Sequence, residues 1–327
     1  MSKRRFLLFA ASMLAAAGLN AQTPRLRRVA IAVSHASGIQ NEGLLVFRKR
    51  MGELGWIEGR NIEYVSAYTG GDLSRNKPVI VELLAQKPDV LYAYLGDMAL
   101  TAKTLTREVP IVFTIVPDPV AFGLVESLAR PGGNVTGAST RAAELDAKRF
   151  ELLREIRPGM KRIAVLVNPS SPLVAKRFIE SYGNIAKKLS VQLLTIEARD
   201  AEEIPSAFDR MVREGAQGML GTADQHHLLK FRDLLVQNAA RVGIPAMYVD
   251  DRYVESGGLV SYGTDNIDQV GIRGASYVDK ILRGAKPADL PVEEPTHFRM
   301  VLNLAAARKL KLTIAQPVLL RADRVIE

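Results

Sequence analysis

Cysteine is missing from all 327 residues. Its absence removes a disulfide framework, a thiol nucleophile and any cysteine-based metal site. A bacterial lipid anchor is not expected either, since that anchor needs a cysteine at the cut. Tryptophan occurs once and aromatic residues make up only 6% of the chain. The net charge of +9 invites a nucleic-acid reading. However, apart from the N-terminus and pairs such as Lys187-Lys188 the basic residues are scattered, and none of them forms a run interleaved with aromatics. No nucleic-acid partner is expected. No apolar run reaches the ~20 residues that a membrane span needs.

Catalytic and cofactor signatures are missing too. His226-His227 would point in different directions on a helix, and no further ligands stand at metal spacing. Ser170, Ser171 and Ser261 have no base in evident reach, and no Gly-x-Ser-x-Gly elbow occurs. Gly70-Gly71 and Gly257-Gly258 lack the spacing of a dinucleotide loop. An acid or base role for Asp118 would lack a catalytic partner. The expectation is a protein that is not an enzyme and carries no cofactor or metal.

What is present is globular: 47% hydrophobic and 24% charged residues, in a length that suits two lobes. The first residues stand apart. Lys3-Arg4-Arg5 forms a positive start, residues 6–17 an apolar stretch, and small residues lead to Ala21. That pattern reads as a secretory signal over residues 1–21, with Leu19 an imperfect match near the cut. The mature chain is expected to begin at Gln22 and to reside in the periplasm.

From residue 29 onward, apolar strand-length runs alternate with helical patterns. Strands are expected at 29–33, 62–68, 90–95 and 111–116, with helices between them. A second series begins after Thr140, with strands at 163–167, 191–197, 218–221, 246–249 and 258–261. A helix at 268–282 and a strand at 298–302 close the chain. This β-α-β-α rhythm predicts parallel sheets with helical crossovers, an α/β fold of two doubly wound Rossmann-like lobes.

Ligands in such sheets bind outside the carboxyl ends of the strands. The run 111–116 is stopped by Pro117-Asp118-Pro119, so Asp118 is held at such an end, as a ligand contact or as a cap of the helix expected after it. That helical patch runs through Phe122, Leu124, Val125 and Leu128. Ser34 and His35 end the first strand; Tyr94, Gly96 and Asp97 end the third, where helix amides can hold an anion. Asn168, Asp224 and Asp250 hold comparable strand-end positions in the second series, where Asn and Asp also serve as turn formers. The segment Asp250-Asp251-Arg252 reads more as surface charge on a loop than as a ligand contact. Asp97, Asp118, Asp224 and Asp250 together would make a cleft acidic, which favours a ligand bearing an amine or another cation.

Residues 118–137, DPVAFGLVESLARPGGNVTG, also resemble the signature of substrate-binding proteins of ABC importers, in the branch with tryptophan- and tyrosine-binding members. The likeness recurs in LGWIEGRNIEY, IPAMYVDDRYVESGGLVSYG and YVDKILRGAKPADLPVEEPTHFRMVLNLAAARKLKLT, in order along nearly all of the mature chain. The resemblance implies a periplasmic-binding-protein type I fold with a multi-strand hinge and a ligand cleft between the lobes. Three crossings are implied, near Thr140, Thr264 and Pro291. The lobes then comprise residues 27–139 plus 264–290 and residues 140–263 plus 291–327. It further implies a small-molecule ligand, an ABC permease as partner, a monomer, and no catalysis. A ligand-sensing or scaffold domain acting on a membrane receptor is the alternative. At Gly96-Asp97 the chain departs from the threonine-proline pair frequent in such proteins, and Gln225 stands where proline is frequent.

Overall fold

The computed structural model describes residues 25–34, 42–169, 172–221, 225–265 and 267–327. His35 and Asp224 lie outside them, as do Ser170, Ser171 and the side chains of His226 and His227.

The first half of the chain runs β1 (Arg27–Val33), α1 (Glu42–Glu53), β2 (Ile62–Tyr68), α2 (Asn76–Ala85), β3 (Val90–Tyr94), α3 (Gly96–Leu105), β4 (Ile111–Val116) and β5 (Val135–Ser139). These strands make one parallel sheet in the order β2-β1-β3-β4-β5. Helices cover both faces, so both faces of a strand are apolar and alternation disappears. In β1, Val29, Ile31 and Val33 join one core cluster while Ala30 and Ala32 join another.

The second half runs α4 (Ala142–Ile156), β6 (Arg162–Val167), α5 (Pro172–Lys188), β7 (Gln192–Glu197), α6 (Glu203–Arg213), β8 (Gly218–Leu220), α7 (Gln225–Val242), β9 (Ala246–Tyr248), α8 (Asp251–Glu255) and β10 (Val260–Gly263). The chain then returns to the first sheet through a π-helical turn (Asp268–Arg273) that continues as α9 (Gly274–Leu282). Val270, Ala275 and Tyr277 enter the first core, and the Tyr92 hydroxyl donates to the Val270 carbonyl at 2.6 Å. Next, Glu293 pairs beside β5: its amide donates to Gly137 O at 3.1 Å and its carbonyl accepts from Ser139 N at 2.9 Å.

The chain re-enters the second sheet as β11 (Arg299–Asn303), antiparallel to β10, and finishes with α10 (Leu304–Lys309), α11 (Gln316–Leu319) and β12 (Arg324–Ile326). The second sheet has the order β12-β11-β10-β9-β8-β6-β7. A strand arriving directly from the other lobe needs no crossover helix, which lets β11 run against its neighbour.

Beyond the short helix after Asp250 and the elements that follow Asn303, two further findings differ from the sequence reading. The patch Phe122 to Leu128 forms a series of turns, not a helix. Leu124 N and Phe122 N bond back to Pro119 O and Asp118 O, and then Gly123 at φ +67° ends the winding. Strand β5, VTGAS, was not anticipated. It exists because β4 bulges beside it, with a register shift between Phe113 and Val116. A Cβ on Gly137 would lie 2.0 Å from the Phe113 carbonyl oxygen, so only glycine allows that approach.

Candidate functional site

The carboxyl ends of β3 and β4 hold two unusual backbone conformations side by side. Leu95 has φ +81° and ψ 155°, and Ile115 has φ +56°. Non-glycine residues avoid both regions, a β-branched one above all, and each costs on the order of 1–3 kcal/mol. Leu95 N donates to Thr114 O at 3.3 Å, so the two strained points are joined through one strand pair. Such strain concentrates where ligands are gripped.

The first-lobe residues read from sequence fall along this edge. Ser34 is 2% exposed and its hydroxyl has no partner among the described residues, while its carbonyl accepts from Thr69 Oγ1 at 2.9 Å. Tyr94 is buried at the end of β3. Gly96 opens α3, whose first turn has no side-chain cap and carries the half-buried Asp97. Asp118 is exposed and accepts from Ala121 N at 2.9 Å, so it stabilises the turn after β4. It also lines a cavity of about 170 Å³ with Ser139, Arg141, Glu144 and Glu294, which gathers the first and third crossings.

In the second lobe, Asn168 is buried at the end of β6. Asp250 is 4% exposed and not a surface loop charge. Its carboxylate caps α8, accepting from Arg252 N at 3.0 Å, and receives Arg252 Nε and Nη2 at 2.8 Å each. This fork, which sequence reasoning missed, follows from the i,i+2 spacing across a helix start: the capping carboxylate and the second side chain of the helix meet on one side. Asp250 holds the guanidinium firmly in its charged form, and Tyr94 of the first lobe lies near enough to Arg252 to add to that effect.

Asp250 and Arg252 line a larger cavity of about 350 Å³, within the usual size range of small-molecule sites. Glu42 and Ile267 contribute from the side of the first lobe, and Thr264 and Asp265 from the second crossing. Arg299 reaches Asp251 at 3.3 Å and Asp265 at 3.7 Å. Burial pushes the Asp251 carboxyl above its ordinary range, the neighbouring Asp250 charge adds to this, and Arg299 opposes it.

Acidic side chains outnumber basic ones in both linings: Glu42, Asp250, Asp251, Glu255 and Asp265 against Arg252, Arg299 and Arg324 in the larger cavity, and Asp118, Glu144 and Glu294 against Arg141 in the smaller. Several of these charges are paired, Arg252 with Asp250 and Arg141 with Glu144 and Glu294. Both signs of charge face the space between the lobes. Among the described residues, no group of three or more His, Asp or Glu could hold a metal.

Two doubly wound lobes, joined by three crossing segments and facing one another across a charged cleft, define a solute receptor of the periplasmic-binding-protein type I fold. The chain belongs to the ABC transporter substrate binding protein family, whose model matches residues 28–326. It is 27% identical over 257 residues to a tyrosine-binding protein of Clostridioides difficile, covering 79% of this chain and 73% of that one. A conserved domain protein from Vibrio cholerae superposes with a TM-score of 0.83 at 27% identity, covering 92% of this chain and 100% of its own. An ABC domain from Streptococcus pneumoniae in complex with L-Trp superposes with a TM-score of 0.80 at 24% identity, with the same coverage. The function is thus extracytoplasmic capture of a small molecule for an ABC transporter, with a permease as partner. No helix among the described residues is long and apolar enough to cross a membrane.

Proposed function

We propose that the solute is an amino acid, held as its zwitterion in the interlobe cleft and released to the permease when the lobes part. The observation that carries this reading is the presence of both charge signs around one 350 Å³ cavity, acidic at Glu42, Asp250, Asp251, Glu255 and Asp265 and basic at Arg252, Arg299 and Arg324. A ligand with one ammonium and one carboxylate matches such a lining, and desolvated polar groups reject ligands that leave them unpaired. The 27% identity to a tyrosine-binding protein supports the same class and adds an aromatic side chain to it. The aromatic contact is assigned to Tyr94, which is buried at the end of β3.

Closure works by differential affinity: a ligand that touches both lobes binds the closed form more tightly and shifts the population toward it. The contacts assigned to it are Ser34, His35, Tyr94, Gly96, Asp97 and Asp118 from one lobe and Asn168, Asp224 and Asp250 from the other. The lobes divide as residues 27–139 plus 264–290 and residues 140–263 plus 291–327. Residues 1–21 direct export and are removed, and the mature protein acts as a monomer in the periplasm.

A thermal-shift panel of the chain from Gln22 onward, against amino acids, polyamines, nucleosides and carboxylates, tests the solute class. A ligand that binds only the native state raises the melting temperature by mass action. A rise with amino acids alone is the expected result. A rise confined to polyamines or to nucleosides overturns the reading.

A further inference from the structure

Arg252 is the most conspicuous cleft group to which the ligand contacts assigned so far give no task. Its guanidinium offers five donors in a fixed fork. Nε and Nη2 are committed to Asp250 and the backbone amide to the same carboxylate. Nη1 has no hydrogen-bond partner among the described residues, and the side chain lines the 350 Å³ cavity. Asp250 is buried and is itself fixed as the cap of α8, so the guanidinium cannot swing freely. A planar cation that is immobilised on one edge and open on another is preorganised for an anion, since little side-chain entropy remains to be lost. The other two arginines of the cavity are differently placed: Arg299 lies between Asp251 and Asp265, and Arg324 binds Glu255 at 2.7 Å.

We propose that Arg252, oriented by Asp250, binds the carboxylate of the solute and so makes a carboxylate a requirement for capture. The assignment deepens the amino-acid reading and rests on it. It also gives the second lobe a cationic contact with the ligand beside the acidic contacts assigned to Asp224 and Asp250. Toward the carboxylate Asp250 acts through Arg252, as a positioning residue, in addition to its assigned contact with the solute.

The test is calorimetric titration of the wild-type chain, Arg252→Gln and Arg252→Lys with three probes: L-tyrosine, its decarboxylated amine tyramine, and its des-amino acid 3-(4-hydroxyphenyl)propionate. Losing a charge-assisted contact weakens binding by roughly 10- to 100-fold. The expected result is that loss for L-tyrosine in Arg252→Gln, with tyramine affinity the same in variant and wild type. Arg252→Lys is expected to recover part of the affinity, because the charge returns without the fork. The readout is a ratio between probes on one folded protein, so a general loss of stability does not imitate it. Wild-type binding of L-tyrosine that Arg252→Gln leaves unchanged, or an equal loss for L-tyrosine and tyramine, overturns the assignment while the amino-acid reading stands. A wild-type chain that binds tyramine as tightly as L-tyrosine overturns it as well. Failure of the wild type to bind L-tyrosine here, together with no rise from any amino acid in the thermal-shift panel, overturns both.

Discussion

Asp250 and Arg252 hold one another through two parallel hydrogen bonds of 2.8 Å, while the same carboxylate caps the helix on which Arg252 rides. One acidic side chain thus starts α8 and orients the cation that faces the cleft. Replacing it removes both functions. Asp250→Ala is expected to cost about 2–3 kcal/mol, a helix cap plus a charge-assisted contact to a partly exposed partner. Asp250→Asn keeps an acceptor for the cap and is expected to cost less. Urea unfolding of both variants measures the difference. Equal losses would mean that the charge contributes nothing beyond the cap.

Asp251 gives a pH dependence with a definite sign. Its carboxyl is raised above 3.8 in the folded chain, chiefly by burial and then by Asp250. A raised carboxyl means that folding favours the protonated form, so stability from this group is fullest below the unfolded value and is lost as pH rises through the folded one. Asp251→Asn is therefore expected to be more stable than wild type near neutrality and equal to it below about pH 3.8. Urea midpoints of the two proteins across that range check the crossover. A variant less stable than wild type near neutrality would show that the Arg299 contact outweighs burial.

The glycines at two crossings are predicted to be irreplaceable for backbone reasons. A Cβ at Gly137 would meet Phe113 O at 2.0 Å, and one at Gly263 would meet Val249 O at the same distance. Backbone atoms cannot step aside as a flexible side chain can. Each alanine variant is expected to lose about 3 kcal/mol or more. Gly96 is different: the nearest atoms to its added Cβ are ring carbons of Phe122 at 3.7 Å. Gly96→Ala is expected to melt within a few degrees of wild type. If its amide end serves the ligand, this variant loses affinity without losing fold.

Arg149 and Asp146 form a nearly dry ion pair at 2.6 Å on α4, with side chains 4% and 2% exposed. The Tyr182 hydroxyl donates to the same carboxylate at 3.0 Å, and Arg149 Nε donates to Tyr262 O on β10 at 2.6 Å. Burial pushes the Asp146 carboxyl up despite the arginine beside it. Removing one partner strands the other, so Arg149→Ala and Asp146→Ala are each expected to cost about 3–5 kcal/mol. Tyr182→Phe is expected to cost about 1 kcal/mol. A double variant no worse than either single one would confirm by urea unfolding that stranding, not loss of attraction, is the cost.

Much of the fold was legible because its signals are local. Ile111–Val116 is an apolar β-branched run between prolines, and no other element suits it. Strand β5 was not legible, since Thr136, Gly137, Ala138 and Ser139 carry no strand pattern; their pairing with β4 and with Glu293 makes the strand. The site was legible as a set of strand ends but not as an electrostatic environment. Counting Asp97, Asp118, Asp224 and Asp250 suggested an acidic cleft, but ion pairs set by folding, such as Arg252 with Asp250 and Arg141 with Glu144, do not show in a list of acids. The helix read at Phe122 to Leu128 failed for a related reason: its apolar spacing serves contacts with the sheet, while Gly123 breaks the winding.

The central claim is that a small solute closes two lobes upon each other. The chain has no cysteine, so a pair can be introduced for labelling without background. Lys77 and Ala201 are exposed and follow the carboxyl ends of β2 and β7, the strands at the sheet edges away from β5 and β10. Distances between labels on Lys77→Cys and Ala201→Cys should form a distribution that shortens and narrows when a saturating amino acid is added. An unchanged distribution in a protein that demonstrably binds its ligand would contradict capture by closure.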